Sequence, residues 1–116
     1  MPKIYWVYIA ANMRNGTLYI GMTNNIIRRM WEHREGIVEG FTKKYGIKHL
    51  VYLEAFENVR AAIDRETRLK KWKRQWKVDL IQKDNVEWDD LYERMIAPPP
   101  MPEWLVQANA AVPKIG

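Results

Sequence analysis

Residues 5–33, YWVYIAANMRNGTLYIGMTNNIIRRMWEH, decide the fold of this chain. Two runs within it, residues 5–10 and 17–22, are rich in aromatic and β-branched side chains, which is typical of β-strands. The connection between them ends in Asn15-Gly16, a pair that tolerates the backbone of a tight turn. The stretch therefore predicts a β-hairpin.

The register of this hairpin determines how its tyrosines are arranged. With the whole connection as the loop, Ala10 pairs with Thr17, and Tyr8 then stands opposite Tyr19. A tighter Asn-Gly turn would instead pair Arg14 with Thr17, and the tyrosines would no longer be opposite. The two registers differ by an even number of residues, so either one places both phenols on the same face of the sheet.

A helical period follows the hairpin. The apolar positions that recur at helical spacing are Ile26, Met30 and Ile37. They predict a helix over residues 25–36, with Thr23 or Asn24 as its N-cap. Arg29 and His33 are four residues apart and lie one above the other on such a helix. Two phenols, an arginine and a histidine could therefore converge on one phosphate.

Several of these residues carry a resemblance to a known family: Tyr8, the run Tyr19-Ile20-Gly21, Thr23, Arg29 and His33. Together they resemble the core of the GIY-YIG nucleases, and the spacings from Tyr19 to Arg29 and to His33 match that motif. The first half departs from the family's name, since Trp-Val-Tyr stands in place of Gly-Ile-Tyr. The resemblance covers roughly residues 4–95, and several spaced motifs are more specific than any one of them.

The length, composition and charge of the chain limit which classes of protein it can belong to. A chain of 116 residues has room for one domain with a real core. Without cysteine it can form neither disulfides nor a thiolate metal site. The start lacks a signal-peptide pattern and no run approaches transmembrane length, so we expect a soluble, cytoplasmic protein with no membrane partner. The net charge of +5 favours an anionic partner.

Two further segments complete the predicted sheet. Residues 39–46, EGFTKKYG, predict a polar loop between two glycines. Its Lys43 and Lys44 either contact a nucleic-acid backbone or simply face solvent. Residues 47–56 are dense in apolar side chains, which predicts a third strand, buried on both faces in the centre of the sheet.

A long helix is predicted over residues 59–76, capped by Asn58. Its apolar stripe consists of Val59, Ala62, Ile63, Leu69 and Trp76. Glu66 falls within this stripe, where a carboxylate needs compensation by a divalent cation or by an ion pair with Lys70 or Lys73. Spacing alone does not separate these interpretations. The resemblance favours the cation, because GIY-YIG enzymes carry a metal-binding glutamate on the helix after the third strand.

The positive charge of the chain is local. Residues 60–77 contain eight basic and two acidic side chains, a net charge of +6 that leaves −1 for the rest of the chain. Trp72 and Trp76 interleave with them, so this segment is either a nucleic-acid contact or a solvated helix face. The candidate nucleic-acid contacts are Lys43, Lys44, Arg68, Lys70, Lys71, Lys73 and Arg74.

The C-terminal part is predicted to hold short helices and a tail. Trp88, Leu91 and Tyr92 are the expected packing residues, and four aspartates (Asp79, Asp84, Asp89 and Asp90) have no spacing that fits a metal site. No role can be assigned to Asn85 from the sequence. We expect a nuclease-like domain over residues 1–96 and a proline-rich tail over residues 97–116. Trp104 and Leu105 of the tail would dock on a neighbour and give weak self-association.

The predicted fold is α+β, a three-stranded antiparallel sheet flanked by helices. The resemblance implies a metal-dependent endonuclease that hydrolyses phosphodiester bonds in nucleic acid, with DNA favoured, and that is structure-selective or weakly sequence-specific, as in DNA repair. One Mg²⁺ or Mn²⁺ would be held by Glu66. Tyr8 would be the general base and Arg29 would bind the phosphate, while Tyr19 and His33 would position the water or Tyr8.

Two alternatives to the enzyme remain. The first is a nucleic-acid-binding module that keeps the fold without catalysis, and the second is a protein-interaction adaptor that uses the tail. The joint presence of all five catalytic candidates favours the enzyme, since a non-catalytic descendant would have little reason to keep them together.

Overall fold

The structure is a computed structural model that describes residues 3–96. It confirms the predicted α+β fold, with a three-stranded antiparallel sheet in the order β2-β1-β3. The strands are β1 (Tyr5–Ala11), β2 (Leu18–Thr23) and β3 (His49–Phe56). The helices are α1 (Ile26–Glu35), α2 (Phe41–Lys44), α3 (Val59–Lys71), α4 (Arg74–Asp84) and α5 (Leu91–Ile96). The predicted tail, with Trp104 and Leu105, lies outside the described residues.

The β1–β2 hairpin has a register that lies between the two predicted ones. Ala10 pairs with Tyr19, two residues away from either predicted pairing, so both predicted registers are wrong. Asn12 explains the difference. Its side-chain Oδ1 accepts a hydrogen bond from the Thr17 amide at 2.9 Å, and its own amide donates to the Thr17 carbonyl at 3.3 Å. These two bonds close the loop, and Asn15 makes the tight turn with φ 59°.

The two tyrosines share one face of the sheet, as predicted, because the observed register also differs from each predicted one by an even step. Tyr8 pairs with Gly21, and the Tyr8 and Tyr19 ring centroids are 6.2 Å apart. A Cβ atom on Gly21 would lie 2.5 Å from Tyr8 Oη and 2.9 Å from Tyr19 Cε1. The Tyr8 phenol therefore occupies the space that a side chain at position 21 would fill.

The central strand is β1 and not β3, which corrects the predicted sheet order. The five residues Val7, Tyr8, Ile9, Ala10 and Ala11 are fully buried. Although β3 lies at an edge, both of its faces are covered: Val51 packs in the core on one side of the sheet and Leu50 in the core on the other. Coverage of both faces, and not a central position, accounts for its apolar sequence.

Helices cover the sheet on both faces. On one face Val7 and Ile9 pack with Leu69 of α3 and Ile81 of α4. On the other face Tyr8 and Ala10 pack with Met30 of α1 and Tyr92 of α5. Of the predicted C-terminal packing residues, Trp88 and Tyr92 are buried and Leu91 packs against the second core, as expected.

The N-cap of helix α1 lies two residues after Thr23 and one residue after Asn24, the two predicted caps. Asn25 is the cap, and its side chain accepts a hydrogen bond from the Arg28 amide at 3.1 Å. Thr23 instead accepts from the Asn25 amide at 3.1 Å, which forms the turn that leads into the helix. Gly36 ends the helix in the left-handed conformation, so Ile37 lies beyond it and is exposed, contrary to its predicted place in the apolar stripe.

The long helix predicted over residues 59–76 is broken into α3 and α4. Asn58 caps it as predicted, but Trp72 and Lys73 have extended backbones with ψ of 149° and 147°. Trp72 turns onto the core at this break. Of the predicted stripe, only Ala62 and Leu69 are buried; the exposed members are Val59, Ile63 and Trp76.

Two local structures were missed from the sequence. The segment predicted as a polar loop contains the short helix α2, bracketed by Gly40 and Gly46 at φ 110° and 62°. Asn85, without a predicted role, is buried: its side-chain amide donates to the Val51 and Asp89 carbonyls at 3.0 and 2.9 Å. Asn85 therefore ties the end of α4 to β3. No helix within residues 3–96 combines the length and apolarity needed to cross a membrane.

Candidate active site

Three rings from three different elements meet beside the hairpin. The ring centroids of Tyr8 on β1, Tyr19 on β2 and His33 on α1 are 5.7 to 6.2 Å apart. A buried hydrogen bond of 3.0 Å joins Tyr8 Oη to His33 Nε2. The hairpin register and the helical position of His33 produce this contact between residues 25 positions apart. The structure thus brings three of the predicted catalytic residues together.

Tyr8 is a neutral phenol in this arrangement. Burial raises the pKa of Tyr8 far above its usual range, and the neighbouring Tyr19 adds to this effect. The positive charge of Arg29 acts in the opposite direction, and the negative charge of Glu66 raises the pKa further. Because burial is the largest contribution, Tyr8 keeps its proton at neutral pH. The charges of Arg29 and Glu66 thus both influence the pKa of Tyr8, in opposite directions.

His33 is the natural partner for that proton. Only 3% of its surface is exposed, and burial together with the charge of Arg29 lowers its pKa below the usual value. The imidazole is therefore neutral at pH 7 and carries one free lone pair. Its other nitrogen, Nδ1, is buried without a hydrogen-bond partner among residues 3–96. The bond to Tyr8 is thus the ring's polar contact within this part of the chain.

Arg29 is the exposed member of the cluster. Its side chain is 36% accessible and reaches Glu32 only loosely, at 3.8 Å. It borders a polar groove of about 220 Å³ that is also lined by Thr23, Asn24, Asn25, Arg28 and Glu32. A guanidinium with one long ion pair retains donors for another ligand, and its planar fork suits a phosphate.

Glu66 forms an ion pair with Lys70, one of the two lysines predicted as its partners. Its Oε1 atom accepts a hydrogen bond from Lys70 Nζ at 2.9 Å, which is the ion pair expected from spacing. Its charge also reaches Tyr8. The ammonium of Lys70 occupies the position of a cation on this carboxylate, and its side chain is more than half exposed, at 54%.

The side chains near Glu66 indicate what kind of cation this carboxylate could hold. Residues 3–96 hold no group of three or more His, Asp or Glu side chains that would form a metal cage. Mg²⁺ keeps several waters and binds through one or two carboxylates plus substrate phosphates, so a single glutamate is sufficient. The carboxylate of Glu66 could hold a hydrated Mg²⁺ or Mn²⁺ in this way.

Several of the predicted nucleic-acid contacts are engaged by other residues of the described chain. Lys43 pairs with Glu39 at 2.8 Å, and Lys44 lies 5.3 Å from the Tyr45 ring. Arg74 donates to the carbonyls of Asn15 and Gly16 at 2.8 and 2.7 Å, so it fastens the hairpin loop. The others remain on α3 and the α3–α4 junction: Arg68, Lys70, Lys71 and Lys73.

A groove beside Tyr19 was missed from the sequence. It has a volume of about 310 Å³ and is lined by Leu18, Tyr19, Ile20, Phe41, Lys70 and Lys77. The Phe41 ring stacks on Tyr19 with a centroid distance of 6.2 Å and an interplanar angle of 29°. The only available signal was an aromatic residue next to a glycine in a lysine-containing segment, which is too common to single out Phe41.

Comparison with known proteins places these residues in context. Residues 4–79 match the family model described as the GIY-YIG catalytic domain. The chain is 37% identical over 91 residues to a UPF0213 protein of Clostridium perfringens (strain 13 / Type A), with 78% of this chain and 96% of the relative covered. It is 32% identical over 93 residues to a UPF0213 protein of Bacillus pumilus (strain SAFR-032), with 80% and 95% covered.

One solved structure also matches. It is the solution NMR structure of a UPF0213 protein from Bacillus halodurans, 26% identical in sequence, with a TM-score of 0.49. The match covers 78% of this chain and 95% of that one. The chain thus spans nearly the whole length of each of these relatives.

Proposed function

The chain belongs to the GIY-YIG catalytic domain family, a family of nucleases, and on this premise we propose that it is an endonuclease that hydrolyses phosphodiester bonds in DNA. The observation that supports this proposal most directly is the hydrogen bond of 3.0 Å between Tyr8 and His33, at a site where the charges of Arg29 and Glu66 also act. A buried phenol and imidazole in contact can accept and relay a proton.

Arg29 binds the phosphate in the proposed reaction. Its guanidinium is accessible and has donors left over from its long contact with Glu32. Two parallel hydrogen bonds to non-bridging oxygens would hold the phosphate and offset the charge that develops on it in the transition state. The same positive charge lowers the pKa of Tyr8.

Glu66 would hold one Mg²⁺ or Mn²⁺. When bound, the cation supplies Lewis-acid stabilisation of the phosphate and of the leaving 3′ oxygen. Lys70 releases Glu66 Oε1 for this purpose, and its flexible, half-exposed side chain allows the release.

Tyr8 acts as the general base, with His33 as its proton acceptor. The raised pKa of Tyr8 means that its hydroxyl is protonated before reaction. The proton of the attacking water moves to Tyr8 Oη while the hydroxyl's own proton moves to His33 Nε2. The water oxygen bonds to phosphorus, and the bond to the 3′ oxygen breaks, with that oxygen taking a proton from solvent. Tyr19 positions Tyr8 and the water.

A nicking assay tests the proposal. The substrates are supercoiled, branched and single-stranded DNA, together with RNA, each with and without Mg²⁺ or Mn²⁺. We expect cleavage of DNA that depends on the cation and is lost in Glu66→Gln, with branched or weakly specific sites preferred. Cleavage that persists without a cation, or at the wild-type rate in Glu66→Gln, would overturn the assigned metal role.

A non-catalytic nucleic-acid-binding module is the second candidate. The ion pair between Glu66 and Lys70 at 2.9 Å favours it, because this contact satisfies the carboxylate without a metal. This candidate predicts salt-dependent binding of DNA with no cleavage of any substrate under any cation. The nicking assay therefore separates the two functions.

A further inference from the structure

The groove beside Tyr19 joins the catalytic cluster to an exposed aromatic surface. Tyr19 belongs to both: its ring edge contacts His33 at a centroid distance of 5.7 Å, and Phe41 stacks against it. Phe41 in turn contacts Tyr45 at 4.7 Å. A ligand in this groove would therefore begin next to the reacting phosphate and extend over a surface of rings.

Phe41 is an exposed aromatic residue. It is 46% accessible, and its neighbour Tyr45 is 43% accessible. Helix α2 holds Phe41 between Gly40 and Gly46, both with positive φ, and Thr42 anchors the helix as its buried residue. Much of the apolar surface of the Phe41 ring faces water. Such a ring costs free energy in the free protein and gains it when another flat apolar group covers it.

The residues that line the groove indicate what kind of flat group would bind on Phe41. The floor is apolar, formed by Leu18 and Ile20, while Lys70 and Lys77 supply positive charge in its lining. A nucleotide matches this pattern, because its base offers a flat apolar face and its phosphates carry the negative charge. The groove volume of about 310 Å³ lies at the lower end of small-molecule sites, which suits one base and its sugar.

We propose that this groove takes an unpaired base of the DNA strand that is cut, stacked on Phe41 beside the scissile phosphate. The proposal rests on the proposed nuclease function and adds a substrate class: DNA with an unpaired nucleotide at the cleavage site, such as a flap or a branch. A base within a duplex is already stacked on both sides and cannot cover Phe41. Lys77 contacts the flanking phosphate, and Lys70 moves there when it leaves Glu66.

Equilibrium binding of the full-length protein in EDTA tests the proposal without cleavage. The probes are a single-stranded oligonucleotide that contains the fluorescent base 2-aminopurine and the matching duplex. We expect Phe41→Ala to weaken single-strand binding by roughly 5- to 150-fold, which corresponds to about 1–3 kcal/mol per stacked base. Duplex binding should change by less than about twofold. The quenching of 2-aminopurine by the wild-type protein should be lost in this variant.

Three further variants sharpen the result. Phe41→Trp should restore binding, and Phe41→Leu, which keeps an apolar side chain for folding, should not. Trp31 is a matched control, because it is 47% exposed and lies about 200° around α1 from both Arg29 and His33. Trp31→Ala should leave both affinities unchanged. Lys77→Gln should lower the log–log salt slope of single-strand binding by about 0.7.

Several outcomes would overturn the proposal. Equal weakening of single-strand and duplex binding by Phe41→Ala, or wild-type binding by Phe41→Leu, would show that no base stacks there. A wild-type dimer that Phe41→Ala converts to a monomer in sedimentation would assign the surface to a second copy of the chain. If Phe41-dependent binding is present but no substrate is cut, the base site stands and the nuclease proposal fails.

Discussion

Gly21 is as important at the residue scale as the side chains it accommodates. Tyr8 lies across Gly21 in the neighbouring strand, where even a methyl group would come within 2.5 Å of the phenol oxygen. The ring cannot shift freely, because it is fully buried and hydrogen-bonded to His33. The position of the Tyr8 phenol, and with it the distance to His33, therefore depends on Gly21 having no side chain.

Gly21→Ala should therefore separate Tyr8 from His33. We expect a loss of roughly 10²-fold in the cleavage rate, the usual consequence of a misplacement of about 1 Å. We also expect a decrease of about 1–3 kcal/mol in the free energy of unfolding, because the added methyl overpacks the site. Urea unfolding measures the second effect, so that the rate can be compared under conditions where the variant is folded. Cleavage at the wild-type rate would mean that Tyr8 does not need its present position.

His33 makes stability depend on pH. Its pKa is lowered in the folded state, first by burial, so the unfolded chain takes up a proton near pH 6.5 while the folded chain resists it. Since the unfolded state then binds more protons, the free energy of unfolding falls as the pH falls below this value. His33→Gln should lose part of this dependence between about pH 7 and 5. A pH dependence of stability in His33→Gln identical to that of the wild type would contradict the assignment.

At the scale of elements, the side chain of Asn85 adds hydrogen bonds between β3 and the end of α4. Asn85 donates to the Val51 carbonyl and forms two further hydrogen bonds with the backbone of Asp89. We expect Asn85→Ala to lower the free energy of unfolding by about 1–3 kcal/mol, because buried backbone groups lose their partners. Lys83→Ala, an exposed position on the same helix, should change it by less than about 0.5 kcal/mol. Equal effects in chemical denaturation would show that Asn85 has no special role.

The basic surface near the α3–α4 junction can be tested separately, through the salt dependence of nucleic-acid binding. Lys71 and Lys73 are exposed, while Arg74 is engaged by the hairpin carbonyls. Neutralising Lys71 and Lys73 should weaken binding to every duplex similarly and flatten the log–log salt dependence by about 0.9 for each phosphate that a lysine no longer neutralises. An unchanged slope, measured by fluorescence anisotropy, would show that these lysines only face solvent.

The element-scale errors of sequence analysis have a common cause. The apolar stripe over residues 59–76 fits one helix because Trp76 keeps its period, yet Trp72 packs on the core from an extended backbone. Likewise, β3 is apolar because helices cover both its faces, and its sequence does not distinguish an edge from a centre. In each case the structure depends on tertiary packing, which cannot be read from a short stretch of sequence.

At the scale of the whole molecule, the class of fold and the contacts of the rings follow from short-range rules. Alternation along two strands places Tyr8 and Tyr19 on one face, and the helical period brings His33 above them. These rules placed the rings together although the predicted register was wrong, because a register shift by an even number of residues leaves each side chain on the same face of the sheet. Phe41, Gly21 and Lys77 were not assigned roles, since their importance depends on which elements lie side by side.

The central claim is that Tyr8 and Glu66 act as one catalytic unit. Tyr8→Phe removes a hydroxyl and keeps nearly all of the ring's volume, so the fold should be retained. Glu66→Gln keeps the shape of the side chain and removes its charge. If the two residues serve one transition state, each variant should lose most of the catalysis, and combining them should add little.

The measurement is the single-turnover nicking rate of supercoiled DNA in Mg²⁺ for the wild type, both single variants and the double variant. We predict that Tyr8→Phe and Glu66→Gln each lower the rate by roughly 10²–10⁴-fold, with substrate affinity nearly unchanged. The double variant should be about as slow as the slower single variant. Cleavage by Tyr8→Phe at the wild-type rate would contradict the tyrosine base and transfer that role to His33. Losses that multiply in the double variant would contradict a common unit.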